Sequence, residues 1–413
     1  MKLTYKHTLR ASYLGSMTQA VMNNLAPLLF LTFQRSYDIT IEKISMLILL
    51  NFVVQIFTDL VASKYIDKIG YRISVVAAHF LAFIGLVCLG ILPQVMAPFP
   101  GLIIATVLTA IGGGLTEVIV SPIVEALPFK KKSSLMSLLH SFYCWGQVAV
   151  VLLSTLYFVT IGTKTWYYLP IVWSLLPFFN MLLFAKVPIR TLAEGADQVP
   201  LRKLFSTKIF WLFAIMMTCA GASELAMSQW SSLFAELGLS VSKTTGDLLG
   251  PCAFALLMGC SRLYYGLNSS KINLKRALVL SSILCIFSYL LTALSPNPLL
   301  SLTGCALCGF SVGLMWPGLY SLSAKSYPQG GTAMFGILAL AGDVGCAIGP
   351  SLTGEISNTV ANAKDFVFAN IFTYTTPIEL GLKAGLFCVV IFPLIMLVSV
   401  LLLKKIMRRN KNV

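Results

Sequence analysis

Unbroken apolar length constrains this chain more than any other feature. The sequence repeatedly runs for about twenty residues with almost no charge, which is what an α-helix needs to cross the hydrocarbon of a bilayer. Such runs occupy approximately residues 8–34, 41–63, 73–92, 99–127, 133–160, 166–187, 207–237, 245–268, 275–294, 298–325, 331–358 and 381–403. Charged residues make up only 11% of the 413 positions and hydrophobic ones 57%. A soluble domain carries about 25% charged residues, so a soluble globular class is excluded. Inside lipid, backbone groups must be paired within their own segment or in a closed barrel. Apolar runs of this length therefore read as helices, and the fold class as an all-α membrane protein with twelve transmembrane helices.

The net charge is +15. The basic residues stand in short clusters between apolar runs, not in a stripe interleaved with aromatics, so nucleic acid is not the implied partner. If the runs alternate in direction, all but six of the 30 Lys and Arg residues fall on one side. The other side holds only Arg35, Lys43, Lys164, Lys243, Lys364 and Lys383. The positive-inside rule then puts both termini and the polar middle segment in the cytoplasm, and an even number of spans follows. The opening MKLTYKHTLR leads into an apolar run longer than a signal-peptide core, with no small-residue cleavage site, and reads as a retained first span. The ten cysteines lie in or at the ends of apolar runs, which does not make a disulfide framework. Cys305 and Cys308 form a C-x-x-C without a second pair or a nearby His, so packing is the reading and not a metal site. No Walker motif is present, and no metal or other cofactor is implied.

The segment from Pro188 to Lys208 is polar and carries both signs of charge. It divides residues 1–187 from residues 207–413, with 188–206 as a cytoplasmic linker. The two halves resemble each other. DLVASKYIDKIGYR (Asp59 to Arg72) follows the second run and RLYYGLNSSKINLK (Arg262 to Lys275) the eighth, aligning Ser63 with Gly266, Lys68 with Lys271, Ile69 with Ile272 and Arg72 with Lys275. The fourth and tenth runs carry GLTEVIVSPIVEALP and GLMWPGLYSLSAKSYP. Duplicated halves imply two pseudo-symmetric six-helix bundles, the arrangement in which one half rocks against the other.

Polar groups inside the runs are the candidate functional residues, because a charge at a bilayer centre costs about 2.5–3.5 kcal/mol on insertion scales. Glu117 lies thirteen residues before Lys130, roughly 20 Å along a helix, too far to snorkel. It reads as a proton carrier, or else as a neutral packing acid. Glu125 is close enough to pair with Lys130–Lys132 at the interface, a gating or structural place. Glu224, Gln229 and Trp230 share the seventh run. Glu224 is a candidate for proton or substrate binding, and Trp230 for stacking on a solute, with core packing as its alternative. Asp343, among the glycines of LALAGDVGCAIGP, suits a gate or latch with Asp59 or Arg262. In the fifth run His140 and Gln147 are candidate cavity groups, His140 for a proton relay or for packing. Trp316, before Pro317, lines a cavity or packs.

SKYIDKIGYR resembles the cytoplasmic loop signature of the major facilitator superfamily, roughly G-x-x-x-D-[RK]-x-G-[RK]-[RK]. Asp67, Lys68, Gly70 and Arg72 match it, while Ser63 and Tyr71 depart from it. Glu117 followed by Ser121-Pro122 is similar to the buried glutamate and Asn-Pro of the fucose–proton symporter-like branch, with the asparagine lost. GASELAMSQW and GDVGCAIGP also look like relatives described broadly as sugar permeases. The resemblance implies a proton role for Glu117. It implies a cytoplasmic gate at Asp59, Asp67 and Arg72, and cavity-facing Asn23 and Asn24 in the first span. That branch also uses an aspartate in the first span, where Asn23 and Asn24 cannot titrate. The reading is a non-enzymatic transporter in the plasma membrane, monomeric among its lipids. It would move a small polar solute, a sugar or sugar derivative, in symport with protons by alternating access. A proton-coupled exporter of drugs or metabolites is the alternative. A non-transporting sensor or scaffold is the alternative of another class.

Overall fold

A computed structural model describes residues 3–129, 132–190, 205–268, 271–326, 331–363 and 369–409, with side chains at all of these except 63, 64, 67, 132–134, 137, 324, 325, 331–333, 335 and 404–409. Among the described residues there is no strand. Twelve long helices follow one another: α1 Tyr5–Tyr37, α2 Ile41–Ile69, α3 Tyr71–Val95, α4 Pro98–Ala126, α5 Lys132–Thr160, α6 Tyr168–Lys186, α7 Lys208–Leu233, α8 Lys243–Asn268, α9 Leu274–Leu294, α10 Pro298–Gly313 resuming as Met315–Ser326, α11 Gly331–Asn362, and α12 Pro377–Cys388 resuming as Ile391–Arg409. Eleven are long and apolar enough to cross a membrane. The exception is α1, whose stretch from Thr18 to Asn24 interrupts the apolar run with two asparagines and a glutamine. It is nevertheless well buried, from Ala20 through Leu25.

The chain divides into two compact units, Met1–Glu194 and Gly195–Val413. Most of the polar segment proposed as a linker, 191–204, lies outside the described residues, as do Lys130 and Lys131. Each unit is a six-helix bundle with the same pairing scheme. In the first, α3 packs on α4 and α6, α1 on α5, and α2 on α4; in the second, α9 packs on α10 and α12, α7 on α11, and α8 on α10. The duplicated sequence segments thus sit in duplicated architecture.

Small residues set how closely these helices approach. A Cβ on Gly112 of α4 would stand 2.7 Å from the Ala82 backbone nitrogen of α3. In the second unit a Cβ on Gly345 of α11 would run into the Thr218 carbonyl of α7, and Thr218 Oγ1 donates to the Ala341 carbonyl at 2.8 Å. Val75, Ile119, Ile123 and Phe184 pack together in an apolar cluster of the first unit.

Arg72 begins α3 and reaches the far end of α6. Its Nη1 donates to the Phe184 and Ala185 carbonyls at 3.1 and 2.7 Å, and its Nη2 to Val187 at 2.9 Å. These are carbonyls a helix C-terminus leaves without intrahelical partners, and a cation there also meets the negative end of the helix dipole. Gly70, at φ 94°, makes the turn that places Arg72 there. Replacing Arg72 with Ala is expected to lower stability by about 1 kcal/mol, read as an earlier melt of the purified protein. Arg72→Lys recovers only part of the loss, since one ammonium cannot fork across three carbonyls.

Candidate functional site

Three consecutive glycines, Gly112 to Gly114, thin α4 just before Glu117 and let α2 come close. A Cβ on Gly114 would stand 3.1 Å from the Gln55 carbonyl and 2.6 Å from Asp59 Oδ1. Gln55 and Asp59 are one turn apart and so share a face of α2. At this approach Gln55 Nε2 donates to Glu117 Oε2 at 2.6 Å, and from α1 Gln19 Nε2 donates to the same oxygen at 2.5 Å. One carboxyl oxygen thus ties three helices of the first unit together. Gln55 is 2% exposed, and its own Oε1 meets no donor among the described residues. Glu117 itself is only partly buried.

Asn23 and Asn24 are buried in α1. Asn24 Nδ2 donates to the Ala20 carbonyl at 2.9 Å and, more weakly, to Tyr143 Oη of α5 at 3.4 Å. Gln147 of α5 is buried, whereas His140 is exposed and Glu125 partly so. The side chain of Asp67 lies outside those described. A second polar knot joins α1, α3 and α6. Asn180 Nδ2 donates to the Ala11 carbonyl at 3.1 Å and sits 2.8 Å from His79 Nε2, while His79 Nδ1 is 2.8 Å from the Val75 carbonyl. These partners fit one neutral tautomer, with the proton on Nδ1, and make His79 a fastener of the bundle.

In the second unit the structure brings together two residues that the sequence assigned to different jobs. Arg262 Nη2 of α8 lies 3.2 Å from both carboxylate oxygens of Glu224 on α7. Glu224, the candidate proton or substrate group, is thus ion-paired with Arg262, the candidate gate. Gln229 and Asp343 are buried. Trp230 is wholly enclosed, and its Nε1 donates to the Pro350 carbonyl of α11 at 2.9 Å. In this conformation its ring offers no face to a solute and fastens α7 to α11 at Pro350. Trp316 is only partly buried; its ring lies against Gly342, and its indole N–H meets no acceptor among the described residues.

Sequence reasoning passed over Gln19, Gln55, His79 and Asn180. Each is a polar residue inside an apolar run, the same signal that singled out Glu117. It also passed over a charge cluster where α7 ends in a π turn, Phe234–Gly238, and α8 begins. There Ser232 Oγ donates to Asp247 Oδ1 at 2.5 Å, and Lys243 lies 3.1 Å from Asp247 and 3.4 Å from Glu236. Among the described residues no group of His, Cys, Asp and Glu could hold a metal ion by proximity of three such side chains.

The fold agrees with comparison to known proteins. Residues 12–350 match the sequence model of the Major Facilitator Superfamily. The chain belongs to that superfamily. Among solved structures it resembles a bacterial homolog of the human lysosomal transporter Spinster, with a TM-score of 0.75, 14% identity, and 98% of each chain covered. It also resembles a D-xylose–proton symporter, with a TM-score of 0.74, 14% identity, and 96% of this chain and 95% of the other covered. The nucleoside transporter NupG matches with a TM-score of 0.74, 12% identity, and 96% and 98% covered. At such identities the likeness establishes the fold alone. A search of curated proteins found no match. As a superfamily member with eleven helices apolar enough to span, the chain is a multi-pass membrane protein.

The Glu224–Arg262 pair makes a direct prediction. Arg262→Met strands a buried carboxylate and is expected to destabilise the protein by about 3–5 kcal/mol. Adding Glu224→Gln to that variant should recover more than half of the loss in thermal melts. Equal melts for the single and double variants would mean that the pair carries no net interaction.

Proposed function

We propose that the protein is a secondary active transporter that carries a small polar solute, a sugar or sugar derivative, in symport with protons by alternating access. It acts as a monomer in the plasma membrane with both termini in the cytoplasm. The observation that carries this reading is the Glu117 clamp. A carboxyl group in the middle of a spanning helix is held by amides from α1 and α2. Both amides meet Oε2, so a proton gained or lost by this carboxyl acts on the group that ties α1, α2 and α4 together. A proton moving down a membrane potential supplies about 2.3 kcal/mol per 100 mV, enough to drive accumulation of a neutral solute.

Other observations fit. Glu117 followed by Ser121-Pro122 resembles the fucose–proton symporter-like branch. The similar solved structures include one described as a D-xylose–proton symporter and one as a nucleoside transporter, both of which handle polar solutes rich in hydroxyls. In unit 1, Asn23, Asn24 and Gln147 supply amides of the kind that hydrogen-bond hydroxyls, and in unit 2 Trp316 supplies an indole N–H that meets no acceptor among the described residues. Glu224 is neutralised by Arg262. This leaves Glu117 as the principal proton carrier and gives the pair a binding or positioning role.

The test is uptake into proteoliposomes under an imposed pH gradient, with candidate sugars first ranked by thermal shift. Wild-type protein accumulates the solute above equilibrium. Glu117→Gln should abolish accumulation while leaving solute exchange across the membrane within about twofold of wild type. Unchanged gradient-driven accumulation in Glu117→Gln would remove Glu117 from the coupling step.

A further inference from the structure

The three glycines before Glu117 are not equivalent. A Cβ on Gly112 would stand 2.7 Å from the Ala82 backbone nitrogen, and one on Gly114 would stand 2.6 Å from Asp59 Oδ1. Close packing of α3 and α2 explains both. Gly113 lies between them and is buried, yet the nearest neighbours of a Cβ there would be 3.8 Å away, an ordinary van der Waals contact. An alanine would fit, and alanine is the better helix former. Neither packing nor helix propensity accounts for the gap beside Gly113.

Two side chains define the chemistry of that gap. One is Met22 of α1, whose Cε methyl would lie 3.8 Å from the added Cβ, and the other is Gln55 of α2, whose Oε1 would lie at the same distance. Gln55 is 2% exposed. Its Nε2 is committed to Glu117 Oε2, and its Oε1 meets no donor among the described residues. A buried acceptor left without a donor is costly, and native proteins keep few of them unless a ligand or a water completes the set. A carbonyl calls for a donor. The rest of the lining is a methyl and bare helix backbone, so the gap takes a small neutral donor. A hydroxyl is the one that a polar solute carries.

We propose that the gap at Gly113 is a subsite for a single hydroxyl group, with Gln55 Oε1 as its acceptor and the missing side chain of Gly113 as its size limit. The source of the hydroxyl rests on the transport reading above, on which it belongs to the solute. Gln55 then has two tasks, holding Glu117 through Nε2 and reading through Oε1 whether the solute carries a hydroxyl at that position.

Two substitutions separate the subsite from plain packing in thermal melts of the purified full-length protein. Gly113→Ala fills the gap with a methyl. Gly113→Ser carries a hydroxyl on the same carbon, within hydrogen-bonding reach of Oε1, so the protein supplies its own donor. Serine is the weaker helix former, and packing alone therefore predicts the lower melt for Gly113→Ser. The subsite predicts the reverse, with Gly113→Ser melting roughly 2 °C or more above Gly113→Ala. In a Gln55→Leu background, which lacks the carbonyl, the order should revert. Binding of tritiated D-glucose, D-galactose and D-xylose is the second readout. Whichever of them binds the wild type should bind both Gly113 variants at least about tenfold more weakly. A Gly113→Ser variant that melts no higher than Gly113→Ala, or that fails to fold, would overturn the proposal. So would sugar affinity unchanged in Gly113→Ala, the result expected if the gap holds only an ordered water. If Gln55→Leu does not fold, the Gly113 pair still decides. The two readings fail separately. Gly113→Ser melting above Gly113→Ala in a protein that moves no solute would defeat the transport reading and leave the hydroxyl subsite standing. Proton-driven sugar accumulation with the opposite melt order would do the reverse.

Discussion

A carboxyl group carried through a bilayer must find its partners within the membrane, and that constraint organises the first unit. Glu117 finds them in Gln19 and Gln55, which come from two other helices. Such a clamp demands that α1, α2 and α4 approach at one depth, and Gly112 to Gly114 allow it by removing the side chains that would keep α2 and α3 away. The apolar packing around Val75, Ile119 and Phe184, and the cap that Arg72 places on α6, then hold the helices whose register the clamp requires. Placed on a helix without such neighbours, the same glutamate would be an unmet charge in hydrocarbon.

The second unit repeats the architecture with different chemistry. The main helix pairings correspond, although α11 also packs on α12 where α5 and α6 of the first unit have no such pairing. Yet aligning the repeated segments sets Asp59 against Arg262 and Glu117 against Trp316. Where the first unit gathers acids and amides, the second sets an arginine against a glutamate from α7 and an indole against the bare backbone of Gly342. An ancestral duplication accounts for the shared fold. At these positions the chemistry diverges, with amides gathered on Glu117 in one unit and a glutamate–arginine pair in the other.

Much of this was legible from the amino acids. The number and order of helices followed from apolar length, and the duplication from the two copies of the loop after α2 and α8. The interior acids stood out because they are costly where they stand. Contacts were less legible, for physical reasons. Hydropathy reports which residues are buried but not which face of a helix meets which neighbour. Gln19 and Gln55 therefore remained two unremarkable amides until the fold placed both on one oxygen. Trp230 read as a stacking platform because an indole in an apolar run serves equally well as core, and its bond to Pro350 is visible only in three dimensions. Glu224 and Arg262 lie 38 residues apart, and no local periodicity relates α7 to α8 at that distance. Arg72 matched a loop signature, but its grip on the end of α6 depends on the turn at Gly70.

The central claim is that Glu117 is held inside the membrane by the two glutamine amides. Infrared difference spectroscopy of the purified protein addresses it directly, because the Glu117 carboxyl band is identified by its loss in Glu117→Gln. The account predicts that this band shifts in both Gln19→Leu and Gln55→Leu, in each case while the protein remains folded. A Glu117 band that is the same in wild type and in both glutamine variants would contradict it.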